Sequence, residues 1–211
     1  MMVRRTACAW AIALGFLSVT QASGVAMADD ASTPPNPQRL INAAFIAETR
    51  EWLANPIVAM MVSAQSERHE ALTQADIDAL DQQWRAEREV ANQPLISATL
   101  STPLSSYLTR IQAGALGLYT EMFIVDAKGL NVGQSAITGD YWQGDEAKYE
   151  NTFLVGPDAV FIDEAEWDED WQIWRAQLNL SIPNVDGTQA IGAATIEVNL
   201  TELARRQDAQ S

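Results

Sequence analysis

The chain has 211 residues and carries 28 acidic against 13 basic side chains, a formal charge of −15, with one histidine and one cysteine. Nucleic acid is excluded as a partner, because phosphate binding needs clustered positive charge, and a lone cysteine rules out disulfide stapling. A chain of this length can bury one ordinary core without such staples.

The N-terminus reads as a targeting signal. Arg4 and Arg5 give the positive region, an apolar stretch runs from Ala7 to Val19, and Ala26-Met27-Ala28 supplies a small-x-small cleavage site. The apolar run falls short of the roughly 20 residues of a transmembrane helix. Cleavage after Ala28 is therefore the expectation, and a retained anchor is the alternative. Cys8 precedes most of the apolar run, is not placed as a lipoprotein cysteine, and leaves with the signal. Removing 28 of 211 residues leaves 183, with 11 basic and 28 acidic side chains and a formal charge of −17. No later stretch has the length and apolarity of a membrane span, which predicts a soluble, periplasmic chain.

Residues 29–37, with Pro34, Pro35 and Pro37, predict an extended leader. From Gln38 the pattern is helical, with Ile41, Phe45 and Trp52 recurring near the 3.6-residue period. Asn55-Pro56 interrupts or kinks it. A second apolar helical run follows over 57–65, whose Met60 and Met61 suit core filling better than a metal site. Thr73, with Asp76 three residues on, reads as an N-cap and opens a helix with Ile77, Leu80 and Trp84 on one face. Pro94 and Thr102-Pro103 open two further helical stretches. Gly114 and Gly117 close the helical half.

Past Gly117 the period changes to that of strands. Residues 119–126 (Tyr-Thr-Glu-Met-Phe-Ile-Val-Asp) are apolar on both alternations, as in a central strand covered on both faces. Ala127-Lys128-Gly129 is a turn, and 130–135 complete a hairpin. Residues 136–152 are polar, aromatic and irregular or helical. Gly156-Pro157-Asp158 leads into a short strand over 159–163, and the acidic 164–170 turns the chain back. The strand over 171–182 alternates cleanly, with Trp174, Ala176, Leu178, Leu180 and Ile182 on one face and Arg175, Gln177, Asn179 and Ser181 on the other. Asp186-Gly187 is a hairpin turn, 190–200 a fifth strand and 201–207 a closing helix.

Several of these stretches share more than layout with one family. Phe123-Ile124-Val125-Asp126-Ala127-Lys128-Gly129-Leu130-Asn131-Val132-Gly133-Gln134-Ser135 resembles the first hairpin of the Cache (PDC-type, PAS-like) extracellular sensor domains, where an Asp-x-x-Gly turn leads into a strand ending near a polar Ser. Thr138-Gly139-Asp140-Tyr141-Trp142-Gln143-Gly144-Asp145-Glu146-Ala147-Lys148-Tyr149 is similar to standalone periplasmic members, and Ile191-Gly192-Ala193-Ala194-Thr195-Ile196-Glu197-Val198-Asn199 is similar to the usual ending. The resemblance implies an α+β fold: a PAS-like five-stranded antiparallel sheet (118–200) with a long N-terminal helix and a helical N-terminal half (38–113), one domain from 38 to 211. It also implies a sensor rather than an enzyme, with no cofactor. The expected partner is a small polar molecule (an amino acid, organic acid or amine). Family sensors are flanked by membrane helices and a kinase or chemotaxis domain, and this chain shows neither. A membrane receptor or kinase is therefore the expected listener, and a homodimer through the N-terminal helix is a further pairing.

The resemblance places the ligand under a lid formed by 136–152. Tyr141 and Trp142 would be flat walls with polar tips. Asp140, Gln143 and Asp145 would fix an amine or hydroxyl, and Lys148 would pair a carboxylate. The bland alternative makes Asp140 and Asp145 caps, the two aromatics core, and Lys148 a surface cation. Arg175 and Gln177 lie on the polar face of the fourth strand. There they either enter the pocket, with Arg175 as a forked carboxylate anchor, or face solvent, as one side of an antiparallel sheet commonly does.

The run 163–170 holds six acids in eight residues, enough oxygen for calcium or magnesium. It lacks EF-hand spacing and reads more simply as a solvated acidic turn. His69 has no Ser or Cys partner in a recognisable setting, and no nucleophile, metal or phosphate-loop motif is present. Carboxylate pairs abound, but none is singled out for glycosidase chemistry. The leading expectation is a periplasmic small-molecule sensor module. The competing ones are a ligand-free interaction scaffold and divalent-cation sensing by the acidic run.

Overall fold

A computed structural model describes residues 33–209. The targeting segment and its cleavage site lie outside the described residues. Pro37, read above as the last leader residue, instead opens the first helix, α1 (Pro37–Leu40), capped by the Asn36 side chain. The single helix expected from Gln38 is broken at Ile41-Asn42. Asn42 accepts hydrogen bonds from the free backbone N–H groups of Ala44 and Phe45, which favours starting a new helix over continuing the old one. That new helix is α2 (Ala43–Leu53). Asn55 caps α3 (Pro56–His69), with Pro56 in its first turn.

Thr73 and Asp76 form a reciprocal capping box on α4 (Gln74–Arg88). α5 (Pro94–Leu100) receives no side-chain cap from its own N-cap residue. The cap comes from α4, where the buried Glu87 carboxylate accepts from Leu95 N at 2.8 Å and Ile96 N at 3.0 Å. Thr102 caps α6 (Pro103–Gly114). The described helices are completed by the short α7 (Ala147–Glu150) and by α8 (Leu200–Asp208). No helix among the described residues is long and apolar enough to cross a membrane.

The strands are β1 (Tyr119–Val125), β2 (Asn131–Gln134), β3 (Val160–Ile162), β4 (Glu166–Asp168), β5 (Ile173–Pro183) and β6 (Ala190–Asn199). They form one antiparallel sheet in the order β2-β1-β6-β5-β3, with β4 also on β5. The PAS-like antiparallel sheet behind a helical half is therefore present, with one amendment. The acidic segment read as a turn contains β4, which pairs with β5 just beyond β3 and prolongs the same edge. Two contacts hold it there. Asp168 Oδ2 lies 3.4 Å from Arg175 Nη1, and Trp167 packs edge-on against its cross-strand partner Trp174 at 5.4 Å.

One face of the sheet carries the core. Ala176, Leu178, Leu180 and Ile182 of β5, Ile196 and Val198 of β6, and Met122 and Ile124 of β1 pack on Phe45, Leu53, Val58, Val62, Leu104 and Leu108 of the helices. The approach of α3 is close. A Cβ on Gly192 would stand 2.2 Å from Val125 O and 3.0 Å from a Val62 methyl, so only glycine fits between helix and sheet at that point. A second cluster, with Trp84, Ile77 and Ile96 at its centre, forms where α4 and α5 meet Leu130 and Tyr141. The opposite sheet face is polar at its centre. It carries Gln177 and Asn179 of β5, Thr195 and Glu197 of β6, and Glu121 of β1 at matching register positions.

Candidate functional site

The segment 136–152 crosses from the helical layer to the polar sheet face, and its first half is fixed at several points. Asp81 Oδ1 accepts from the backbone N–H of Tyr141 at 2.9 Å and of Trp142 at 3.1 Å. Arg85 bridges Asp81 and Asp140. Tyr141 is buried and stacked on Trp84, ring centroids 5.3 Å apart. Burial, then the Asp126 charge, pushes its hydroxyl up to about 12. Trp142 Nε1 donates to Lys128 O at 2.9 Å. Gly129, at φ +78, lies so close to the Gly144 backbone that a Cβ would meet it at 2.6 Å.

The second half lies over the sheet. Tyr149 stacks on Phe153 and donates to Ala127 O, and both rings pack with Phe123, Val125 and Ala193. α7 therefore covers one part of the polar face and leaves a cavity of about 450 Å³ beside it. That size is within the range of small-molecule sites. Arg175, Gln177 and Glu197 line it from the strands, Lys148 from α7, and Glu146 from the position just before that helix. Asp163, Glu164 and Glu166 close it along the β3–β4 edge.

Both cations in the cavity are engaged. Arg175 Nη1 lies 3.0 Å from Glu197 Oε1 and 3.4 Å from Asp168 Oδ2, while its Nε is buried without a hydrogen-bond partner. Lys148 Nζ lies 3.0 Å from Glu146 Oε2 and 3.2 Å from Gln143 Oε1, and 5.3 Å from the centre of the Phe123 ring. Such a ring face attracts a cation. Glu197 is buried, and its other oxygen accepts from Thr120 Oγ1 at 2.6 Å.

Glu121 stands across from Glu197 in the register of β1 and β6. Burial pushes its carboxyl up to about 7, the Glu197 charge adds to that rise, and Lys148, Arg175 and Arg88 oppose it. A carboxyl held above its ordinary 4.5 keeps a proton that the unfolded chain has already released. Between about pH 4.5 and 7 the folded form is thus the more protonated one, and this group's effect is to lower stability as pH rises. Glu121→Gln, neutral throughout, is therefore expected to melt above the parent near pH 8 and to lose that advantage near pH 4.5. Melting curves at several pH values check this. A difference that does not vary with pH would sink it.

Of the residues singled out from sequence, Lys148, Arg175 and Gln177 converge on the cavity. Gln143 is buried behind it and reaches it through Lys148. Tyr141 and Trp142 do not line it: their rings face α4 and the 126–129 turn, because Trp84 and Lys128 O hold them there. Asp140 is tied to Arg85, and Asp145 is exposed. The acidic run is dispersed. Asp163, Glu164 and Glu166 face the cavity, and Asp168 pairs with Arg175 while its Oδ1 caps the turn at Asp170 and Trp171. Among the described residues, no group of three or more His, Cys, Asp or Glu is set to hold a metal ion. Glu121 and Glu197 escaped the sequence reading. Their signal was a lone carboxylate inside each of two otherwise buried strands.

No family model matches the sequence, and neither does any curated protein. Among solved structures, the chain is similar to the ligand-binding domain of the Campylobacter jejuni chemoreceptor Tlp3 in complex with L-valine, with 16% identity, a TM-score of 0.36, and coverage of 76% of this chain and 63% of that one. It is also similar to the ligand-binding domain of the Pseudomonas aeruginosa PAO1 amino acid chemoreceptor PctC in complex with GABA (14%, 0.34, 76% and 62%). The sensor domain of the V. cholerae histidine kinase DctB is a third (9%, 0.32, 77% and 58%). The chain spans about three-fifths of the length of these structures. The strand order and register described above define its fold independently of these likenesses.

Proposed function

We propose that this chain is a periplasmic sensor module of the Cache-like kind, and that it binds a small polar molecule in the cavity between α7 and the polar sheet face. One observation carries this reading. Charged side chains from β5, β6 and the β3–β4 edge converge beside a short helix, around a cavity of about 450 Å³. A purely structural sheet face would be packed dry or left open to solvent. In this reading Lys148, Arg175 and Gln177 contact the ligand and Gln143 positions Lys148. Asp140, Tyr141, Trp142 and Asp145 belong to the strap that holds α7 in place.

The proposed signal route runs from α7 to the helices. Tyr149 is bonded to Ala127 O, and the neighbouring Asp126 is bonded to Gln65 and His69 of α3. A shift of α7 on ligand binding would bias that connection, and a separate receptor or kinase would read it.

The test is a thermal-shift and calorimetric screen of amino acids, organic acids, amines and nucleobases. A binder that carries a carboxylate is expected to lose at least about tenfold in affinity in Arg175→Ala, since a charged contact is worth about 1.5–3 kcal/mol. An amine should bind no more weakly there, because Glu197 and Asp168 are freed. Trp171→Ala, on an exposed side chain outside the cavity, should bind as the parent does. Flat curves throughout would remove the proposal.

A further inference from the structure

We infer that the chain carries a second binding site, for a single-chain amphiphile with an anionic head, in a groove at the corner between α2 and α3. The groove lies on the helical side of the sheet and shares no lining residue with the cavity beside α7. The inference therefore stands whether or not that cavity binds a ligand.

The first ground is that two ordered walls leave a space between them. Asn55-Pro56 ends α2 and starts α3, since a residue before proline is disfavoured in the helical region. Asn55 Oδ1 then accepts from Ile57 N at 3.1 Å. The facing wall is the β5–β6 connection, where Asn184 Oδ1 accepts from Thr188 N at 2.9 Å and Gln189 N at 3.1 Å. The groove between them measures about 690 Å³, within the range of small-molecule sites.

The second ground is the lining. Leu53, Ala59, Met60, Ile182, Pro183 and Val185 make most of it apolar. Met60 is 59% exposed and Val185 100%, so a large apolar side chain stands uncovered on each wall. A hydrocarbon tail laid between them is favoured in proportion to the apolar area it removes from water.

The third ground is charge. No aspartate or glutamate lines the groove, although the chain has 28 acidic residues. Its one charged lining residue is Arg50, which makes no ion pair among the described residues. The Arg50 guanidinium gives one hydrogen bond, from Nη2 to Asp158 O at 2.9 Å, and a guanidinium has five such donors to offer an anionic oxygen. The first turn of α3, which lines the same groove, adds the partial positive charge of a helix start. The cavity beside α7 is the opposite case, rimmed by Glu146, Asp163, Glu164 and Glu166. In the groove an ammonium finds no carboxylate, and a short polar acid leaves the apolar walls wet. An anionic head joined to an aliphatic tail matches both parts.

The experiment titrates decanoate and decyl phosphate into the chain by calorimetry, below their micelle concentrations, with octanoate and decanol as comparisons. Saturable one-to-one binding is expected, about fourfold tighter for each added methylene. Arg50→Gln should weaken decanoate by about tenfold and leave decanol unchanged. Val185→Asp, on a fully exposed side chain, should weaken both by about tenfold or more, since it sets a carboxylate in the apolar lining. Arg175→Ala, in the other cavity, should change neither. Binding lost in Arg175→Ala and indifferent to Arg50→Gln and Val185→Asp would place the amphiphile in that cavity and overturn the second site. Decanol binding as tightly as decanoate would overturn the anionic head. Sedimentation showing a dimer that Val185→Asp dissociates, without amphiphile binding, would give the groove to a second copy instead. Adsorption to phosphatidylglycerol vesicles without binding of the free amphiphiles would give it to a membrane surface. No binding of any kind would likewise overturn the inference.

Discussion

Asp126→Ala is expected to cost about 3 kcal/mol or more of unfolding free energy, among the largest effects of any single substitution in this chain. The carboxylate is fully buried. Its Oδ1 accepts from Lys128 N at 2.8 Å and Leu130 N at 3.0 Å, closing the β1–β2 turn on itself. Its Oδ2 meets Gln65 Nε2 and His69 Nδ1, both at 3.0 Å, joining that turn to the end of α3. Alanine leaves several donors unpaired in a dry place, and each such orphan costs about 1–3 kcal/mol. Asp126→Asn keeps the shape but presents an amide donor to donors, so a loss of roughly half that size is expected. Urea unfolding followed by circular dichroism measures both. A change below about 1 kcal/mol for Asp126→Ala would show that water replaces the carboxylate without difficulty.

Trp84→Ala is expected to cost about 3–5 kcal/mol, the usual range for removing a large buried aromatic. Trp84 is fully buried, stacks on Tyr141, and donates from Nε1 to Thr138 O at 3.0 Å. The loss should be local as well as global. With Trp84 gone, the strap over 136–146 keeps its backbone bonds to Asp81 but loses the ring on which it rests. Native-state proteolysis should then cut within 136–146 well before the sheet opens. Uniform protection until global unfolding would mean that Asp81 alone holds the strap. Ligand affinity should fall with strap order, since α7 follows directly in the chain.

Much of the sheet was legible because its signals are local. The alternation over 171–182, the Asp186-Gly187 turn and the apolar run of β1 each depend on neighbours in sequence. So does the Thr73–Asp76 cap. The break at Asn42 was less legible, since an Asn within a helical pattern can either face solvent or start a new helix. β4 was hidden because charge dominates residues 163–170, and only its pairing with β5 makes it a strand. The site divides in the same way. Arg175 and Gln177 were readable from strand parity. Tyr141 and Trp142 were assigned to the cavity because their segment was expected to cover it. Which side of an irregular segment faces inward depends on Trp84 and Lys128, far away in the chain. Glu121 and Glu197 come together only through strand register, which no local pattern encodes.

The interrupted edge made by β3 and β4 has a consequence for how copies of this protein behave in a crowded compartment. An exposed edge strand offers unpaired backbone groups to any other strand, a common route to aggregation. Here that border is short, broken between Ile162 and Glu166, and lined by Asp163, Glu164, Glu166 and Asp168. A second copy approaching edge to edge would meet the same acids face on. The carboxylates that rim the cavity thus also keep neighbouring molecules apart. Acidification or high salt should weaken this mutual avoidance before it unfolds any single molecule.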